Sequence, residues 1–148
     1  MSDLFKVWWK LIFIASDHAG YEFKKKLMSL NPQHEWQDLG AHSTDSVDYP
    51  DYAKQLCAQL KNSNESFGVL ICGSGQGMAI AANRHPHIRA ALCWSEEVAK
   101  LSRAHNNANV LCLGSRLITI EVAQQILKVF LTTQYEGGRH DQRVAKLS

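Results

Sequence analysis

The strongest chemical feature of this sequence is a cysteine that directly precedes a glycine-rich loop. Cys72 ends the largely apolar run Phe67–Cys72, and Gly73, Gly75 and Gly77 follow it with the spacing G-x-G-x-G. Backbone N–H groups in such a loop, at the start of a helix, form a binding site for an anion. A thiol in the same place is favoured as the thiolate, so Cys72 could act as a base or a nucleophile. The alternatives are a tight turn without a ligand and a buried core cysteine.

The spacing of the glycines disfavours two common nucleotide sites. A dinucleotide-binding loop has a further glycine at the sixth place of G-x-G-x-x-G, which Met78 occupies here. No lysine follows the loop, as a triphosphate-binding loop would require. An NAD-dependent oxidoreductase is also disfavoured because 148 residues leave no room for a separate substrate domain.

Histidines and arginines supply the other candidate groups. His18 lies in a predicted turn, and His105 lies near the end of a predicted helix, where it could simply complement the helix dipole. His140 stands between Arg139 and Arg143, a cationic cluster that suits a phosphate but is also typical of a solvated tail. No histidine or cysteine pair has the spacing of zinc ligands, so no metal is expected. The remaining histidines are expected at the surface: His34, His42, His85 and His87.

Five apolar runs alternate with five segments of helical periodicity. The predicted strands are residues 11–16, 35–39, 67–72, 88–94 and 109–113, and the predicted helices are residues 21–30, 50–60, 78–84, 96–105 and 119–132. In the first helix, Phe23, Leu27 and Leu30 recur among lysines. Because most of the strands show no alternation of apolar and polar residues, they indicate a parallel sheet covered on both faces. The sequence therefore predicts a doubly wound α/β domain, a three-layer sandwich with a five-stranded parallel sheet.

Ligands of such folds bind at the carboxyl ends of the strands. Four segments are expected to meet there: Asp17 with His18, Cys72 to Gly77, Trp94 with Ser95, and Gly114 to Arg116. The predicted site is therefore built from loops that are far apart in the sequence.

Composition restricts the class of protein without identifying it. The formal net charge of +2 is too small to predict a nucleic-acid or acidic-membrane partner, and no apolar stretch is long enough for a membrane span. The four cysteines form no C-x-x-C pair, which favours reduced thiols in a cytoplasmic protein; Cys57, Cys93 and Cys112 are expected in the core. Residues 1–10 are predicted to be an N-terminal extension, and residues 11–148 a single domain.

Several motifs, taken together and in order, resemble the B-type ribose-5-phosphate isomerases, in the wider group that includes allose-6-phosphate and galactose-6-phosphate isomerases. The motifs are Asp17-His18-Ala19-Gly20, Asp48-Tyr49-Pro50, Ile71 to Gly77, Ala81-Ala82-Asn83-Arg84, Ser102 to Asn106, and Gly137 to Arg143. The resemblance runs from about Ile12 to the C-terminus. It implies a Rossmann-like fold, no metal or other cofactor, and a homodimer or homotetramer with sites shared between subunits.

The resemblance also implies an activity, the interconversion of ribose 5-phosphate and ribulose 5-phosphate. Cys72 would be the base that moves a proton between C1 and C2, and the N–H groups of Gly73–Gly77, with the Ser74 hydroxyl, would stabilise the enediolate. Asp17 and His105 would move hydroxyl protons, with His105 the candidate for opening the furanose ring. By the same resemblance, the binding positions are Tyr49 and Asn106 for the sugar, and His18, Arg116, Arg139, His140 and Arg143 for the phosphate.

One position departs from part of this family. Met78 stands where some relatives have a glutamate base, so either Cys72 serves as the base here or the protein has no base. Two alternatives remain: an isomerase of a six-carbon phosphosugar such as allose 6-phosphate, and a phosphosugar-binding module without catalytic activity.

Overall fold

The computed structural model describes residues 10–61 and 65–148. Nine residues of the predicted N-terminal extension therefore lie outside the described part. The described strands are β1 (Leu11–Ser16), β2 (Glu35–Asp38), β3 (Phe67–Cys72), β4 (Ala90–Leu92) and β5 (Val110–Gly114). They form one parallel sheet in the order β2-β1-β3-β5-β4. The predicted five-stranded parallel sheet is confirmed.

Helices cover both faces of this sheet. They are α1 (Tyr21–Leu30), α2 (Tyr49–Leu60), α3 (Gln76–Ala82), α4 (Glu96–Asn106), α5 (Ile120–Thr132) and α6 (Asp141–Ala145). On one face Ile14, Ile71 and Leu113 pack in one apolar cluster with Leu27 of α1 and Phe130 of α5. A second cluster, on the opposite face, joins the sheet to α2 and α3. The alternation of these two clusters along each strand makes the three-layer sandwich.

The edge strand β4 is shorter than the sequence predicts. Only Ala90–Leu92 pair with β5, whereas the apolar run covers residues 88–94. The amide side chain of Asn83 hydrogen-bonds both the N–H and the carbonyl of Ala90, at 2.8 and 2.9 Å. A side chain therefore takes the place that a further strand would occupy beside β4. Apolar content alone does not reveal such a contact.

The tail after α5 is more regular than its polar sequence indicates. Gly138–His140 form a short 3₁₀ turn, and α6 follows directly. A backbone hydrogen bond of 3.0 Å from the Glu136 N–H to the Ala104 carbonyl ties the tail to the end of α4. The sequence does not indicate helix α6 because the tail has no periodic apolar face.

Helix α1 buries a lysine. Lys24 has no exposed surface, and its Nζ lies 2.7 Å from Asp38 Oδ1 and 2.6 Å from the Ala41 carbonyl oxygen. Leu27 is buried as predicted, whereas Leu30 is 40% exposed. The buried ammonium therefore joins α1 to the end of β2 and to the loop that follows.

The described helices include none with the length and apolar character needed to cross a bilayer.

Candidate active site

The loop after β3 arranges donors around the sulfur of Cys72. The Gly75 N–H donates to Cys72 Sγ at 3.2 Å, and the Gln76 N–H donates to Ser74 Oγ at 3.2 Å. Gly75 precedes α3 in the left-handed region, at φ +78°, a conformation that glycine adopts without strain. A Cβ there would also lie 2.5 Å from Leu92 Cδ1. The thiol therefore faces the N-terminus of a short helix across a turn that requires glycine.

Asp17 and His18 follow β1 at the same edge of the sheet. Asp17 is 7% exposed, and its Oδ1 accepts a hydrogen bond of 3.0 Å from the Gly20 N–H. The Val47 N–H donates to His18 Nδ1 at 3.2 Å. Because Nδ1 is then the acceptor, the neutral imidazole carries its proton on Nε2. His18 can therefore donate from Nε2 to an anion.

Two larger side chains lie directly on the glycines of the loop. A Cβ at Gly73 would lie 3.0 Å from Arg116 Nη1, and a Cβ at Gly77 would lie 2.5 Å from Tyr49 Cζ. The backbone also joins the two loops, since the Arg116 N–H donates to the Gly73 carbonyl at 3.0 Å. Both glycines therefore let a guanidinium and a phenol approach the loop closely.

These groups line one cavity of about 380 Å³, which we call the thiol cavity. Its lining includes the predicted residues Asp17, His18, Tyr49, Cys72, Gly73, Ser74, Gly77 and Arg116. The expected contribution of Trp94 and Ser95 was wrong. Ser95 instead accepts a hydrogen bond from the Val98 N–H as the N-cap of α4, and Trp94 is 61% exposed. Three of the four expected segments thus form the cavity.

A second group of predicted residues, the histidine cluster, consists of His105 and His140 together with Glu136. The two imidazole rings are stacked, with centroids 4.5 Å apart and planes inclined by 16°. Glu136 Oε2 lies 3.8 Å from His105 Nε2, and Glu136 Oε1 lies 3.9 Å from His140 Nε2. One carboxylate therefore faces both rings.

The surroundings of His140 lower its pKa below the ordinary value. Burial is the largest cause, and the neighbouring His105, Arg139 and Arg143 act in the same direction, against the opposing effect of Glu136. His140 is 9% exposed. Its neutral form is therefore favoured beside His105.

Three further predicted site residues lie close in the sequence to the histidine cluster. Arg139 and Arg143 are exposed, and Arg143 Nη1 donates to the Arg139 carbonyl at 3.1 Å. Asn106 ends α4 and lines a separate cavity of about 480 Å³. The cationic tail and the end of α4 thus form one region.

The thiol cavity and the histidine cluster lie at opposite ends of the strands, the cavity at the carboxyl ends and the cluster at the amino ends. Cys72 is the last residue of β3, whereas His105 lies just before β5 begins. Helix α4 starts after the carboxyl end of β4 and has 11 residues. At about 1.5 Å per residue it spans about 16 Å towards the amino edge. A single chain therefore does not bring His105, Asn106, Arg139, His140 and Arg143 to the thiol cavity.

The four cysteines separate into two kinds. Burial raises the pKa of Cys57 and of Cys93 to about 11, and it raises that of Cys112 still more strongly than its thiol neighbours do. Cys72 lines a cavity and accepts an N–H hydrogen bond. The three core cysteines are thus held as neutral thiols at neutral pH.

Glu136 was missed by the sequence analysis. It lies four residues before His140, a spacing that could have indicated the contact, but 31 residues after His105. With the two histidines it forms the described group whose chemistry fits a metal ion, with ligand atoms within 4.8 Å of one another. The imidazoles stack in nearly parallel planes, however, and do not converge on one point. The geometry is that of one carboxylate facing two stacked rings.

The prediction that four histidines lie at the surface was wrong for His34 and His87. His34 is 6% exposed, and burial lowers its pKa. His87 Nε2 lies 2.7 Å from the Cys57 carbonyl oxygen, partly buried. Polar neighbours in the sequence do not imply exposure of the ring.

Comparison with known proteins identifies the family. The family model described as Ribose/Galactose Isomerase matches residues 12–147. The ribose-5-phosphate isomerase B of Escherichia coli (strain K12) is 40% identical over 141 residues, covering 94% of this chain and 95% of the relative. This chain therefore belongs to the ribose/galactose isomerase family, and the expectation of an isomerase is confirmed.

Solved structures agree with this assignment. A ribose 5-phosphate isomerase from Thermotoga maritima is similar with a TM-score of 0.90 and 48% identity, covering 93% of this chain and 97% of that chain. Ribose-5-phosphate isomerase B from Mycoplasma genitalium, solved with bound ribulose-5-phosphate, has a TM-score of 0.88 and 44% identity, covering 93% of each chain. The Rossmann-like fold is thus shared over nearly the whole described domain.

Proposed function

We propose that this enzyme interconverts ribose 5-phosphate and ribulose 5-phosphate through an enediolate. The observation that carries the proposal is the thiol cavity, which combines the Cys72 sulfur, a loop of backbone donors and the cationic Arg116. The bound ribulose-5-phosphate in the M. genitalium relative supports the same substrate. A binding module would need no base in that position.

Cys72 acts as the base in this proposal. Its thiolate takes the C2 proton of the open-chain aldose and returns a proton to C1. Asp17 moves the hydroxyl proton of this step, and His105 moves the hydroxyl proton that opens the furanose ring. The negative charge that develops on the oxygens is stabilised by the N–H groups of Gly73–Gly77 and the Ser74 hydroxyl. Oriented donors of this kind contribute about 10²–10³ in rate each, and a positioned base about 10²–10⁴.

The phosphate lies away from the reacting carbons and holds the sugar in place. His18 and Arg116 line the thiol cavity, and the Nε2 proton of His18 is available for an anion. The partner subunit's Arg139, His140 and Arg143 supply further cationic or donor groups from its tail. Such contacts convert binding energy at the phosphate into orientation at C1 and C2.

A complete site forms between two copies of the chain. The thiol cavity of one protomer meets the partner subunit's His105, because the two halves lie at opposite edges of a single sheet. Exposed apolar side chains support a covering partner. Leu117, which lines the cavity, is 68% exposed, and Ile80 of α3 and Trp94 after β4 are 60% and 61% exposed. A homodimer is the smallest assembly that completes the site, and a homotetramer would contain two such pairs.

The same proposal places the enzyme in the cytoplasm. Its four cysteines are free and buried, and a thiolate base requires a compartment that keeps sulfur reduced.

The test is an isomerase assay on the wild-type enzyme and on Cys72→Ala. The wild type should convert ribose 5-phosphate to ribulose 5-phosphate, and the variant should lose about 10²–10⁴ in turnover. Cys93→Ala, which removes a buried core thiol, is the matched control and should keep its turnover. Unchanged turnover in Cys72→Ala would exclude this cysteine as the base.

The same assay distinguishes a six-carbon substrate. The family model names both ribose and galactose isomerases. Activity with allose 6-phosphate or galactose 6-phosphate, and none with ribose 5-phosphate, would replace the five-carbon substrate in this proposal.

A further inference from the structure

Glu136 is held beside the histidine cluster by its own backbone. Its N–H donates to the carbonyl of Ala104, the residue before His105, at 3.0 Å. Its two carboxylate oxygens then face the Nε2 atoms of two different rings, at 3.8 and 3.9 Å. The carboxylate is 59% exposed, whereas the His140 side chain is 11% exposed. The backbone thus places a carboxylate beside both rings without burying it.

The charges around the cluster are unbalanced without this residue. Arg139 and Arg143 both act on His140, as does His105, and each disfavours its protonation. Of the groups that act on His140, Glu136 alone opposes them. Two stacked imidazoles also repel one another when both are protonated. Glu136 is thus the acidic group of the cluster, and its carboxylate faces both rings.

We propose that Glu136 is a positioning residue for ring opening, which acts through His105. Its carboxylate lies on the Nε2 side of the His105 imidazole, so the proposal assigns contact with the sugar to Nδ1. This inference rests on the proposed function, in which the partner subunit's His105 completes the thiol cavity.

The step it supports involves only the sugar and one imidazole. The His105 ring takes the proton of the anomeric O1 hydroxyl, the C1–O4 bond breaks with its electron pair going to O4, and the C1=O1 double bond forms. The imidazolium then gives the same proton to O4. Glu136 stabilises the imidazolium while it holds that proton, as a carboxylate does when it faces a catalytic histidine. The stacked His140 ring, favoured in its neutral form, adds no opposing charge.

Ring opening can be separated from the enediolate step. Ribose 5-phosphate closes to a furanose, whereas ribulose 5-phosphate cannot, because its O5 carries the phosphate. Exchange of the C1 hydrogen of ribulose 5-phosphate with D₂O requires Cys72 and the loop but no ring opening. Isomerisation of ribose 5-phosphate requires both.

The experiment measures both reactions for the wild type, Glu136→Gln and the control Glu35→Gln, an exposed glutamate of the edge strand β2. Glu136→Gln should lower kcat/KM for ribose 5-phosphate about tenfold, in the range seen when a residue that orients a functional histidine is removed. Its exchange rate with ribulose 5-phosphate should stay within about twofold of the wild type, since ground-state binding is unchanged. Glu136→Asp, which keeps the charge, should recover part of the loss, and Glu35→Gln should match the wild type in both assays.

Two outcomes would overturn the inference. An equal loss in both reactions would assign Glu136 a structural role in the tail, and no loss in either would assign it none. A wild-type enzyme that catalyses neither reaction would instead contradict the proposed function, so the two failures are distinguishable.

Discussion

Cys72 differs from the other three cysteines in what surrounds its sulfur. Its Sγ faces a cavity and a backbone N–H, whereas Cys57 and Cys112 have no exposed surface and Cys93 is 1% exposed. The loop spacing was enough to single out Cys72 in the sequence, because a glycine-rich turn before a helix is a local feature. The other predicted site residues, such as His105, are far from Cys72 in the sequence, and the spacing of the loop does not point to them.

This difference predicts selective alkylation. With iodoacetamide near pH 7.5, Cys72 should react at least about tenfold faster than Cys57 or Cys93, because burial raises the pKa of both core thiols to about 11 and little thiolate forms there. Peptide mass spectrometry over a time course measures the four rates. Labelling of Cys93 before Cys72 would contradict this assignment of the reactive thiol.

His34 predicts a pH dependence of stability. Burial lowers its pKa below the ordinary value of 6.5, so the folded state disfavours its protonation. The unfolded chain then binds more protons as pH falls below about 6.5, and the free energy of unfolding decreases there. Thermal unfolding from pH 8 to pH 5 should show a weaker decrease of Tm in His34→Gln than in the wild type. Parallel curves for the two proteins would refute a role of His34.

At the scale of elements, the sequence predicts the bounds of a strand or helix best where a regular apolar pattern ends at a turn residue. The bounds of β1, β3 and α1 coincide with the prediction for that reason. The bounds of β4 do not coincide, since only Ala90–Leu92 of the apolar run 88–94 pair with β5, and Asn83, seven residues before Ala90, bonds the free side of this strand. The sequence pattern does not predict helix α6, because this helix has no apolar face. Tertiary contacts thus determine what periodicity alone cannot.

Lys24 is the clearest case of an element held by a contact that sequence patterns do not predict. Replacing it with methionine keeps the volume but removes both bonds of the ammonium, leaving Asp38 and the Ala41 carbonyl without this partner. Lys24→Met should lower the free energy of unfolding by about 2–3 kcal/mol. Urea denaturation measures the change, with the exposed Lys25→Met as control, expected within about 0.5 kcal/mol of the wild type. A neutral or stabilising Lys24→Met would show that packing, not the ion pair, holds α1 to β2.

At the scale of the whole molecule, the predicted site residues form two separate half-sites. The resemblance implies sites shared between subunits, and the course of α4 agrees with that expectation. At about 1.5 Å per residue, His105 lies about 14 Å along the helix from its start near the carboxyl end of β4. The order of the motifs along the chain does not show at which end of the strands a helix finishes. The topology shows this.

A shared site predicts that two inactive variants restore activity when mixed. Cys72→Ala removes one half-site and His105→Asn the other, so a heterodimer has one site with neither substitution. Random exchange of subunits should recover about a quarter of the wild-type activity, since half the dimers are mixed and each has one intact site of two. The measurement is the isomerase rate after unfolding and refolding the two variants together, with each refolded alone as control. No recovery, with mixed dimers detected by mass spectrometry, would contradict the shared site.

The length of α4 has a consequence for inheritance. In the proposed shared site, one helix separates the two catalytic halves of each chain, so two defective alleles should complement each other when their lesions fall at opposite ends of that helix. Lesions at the same end do not. A genetic map of complementing alleles would therefore divide this small gene into two groups, one from the cysteine loop and one from the histidine helix and tail.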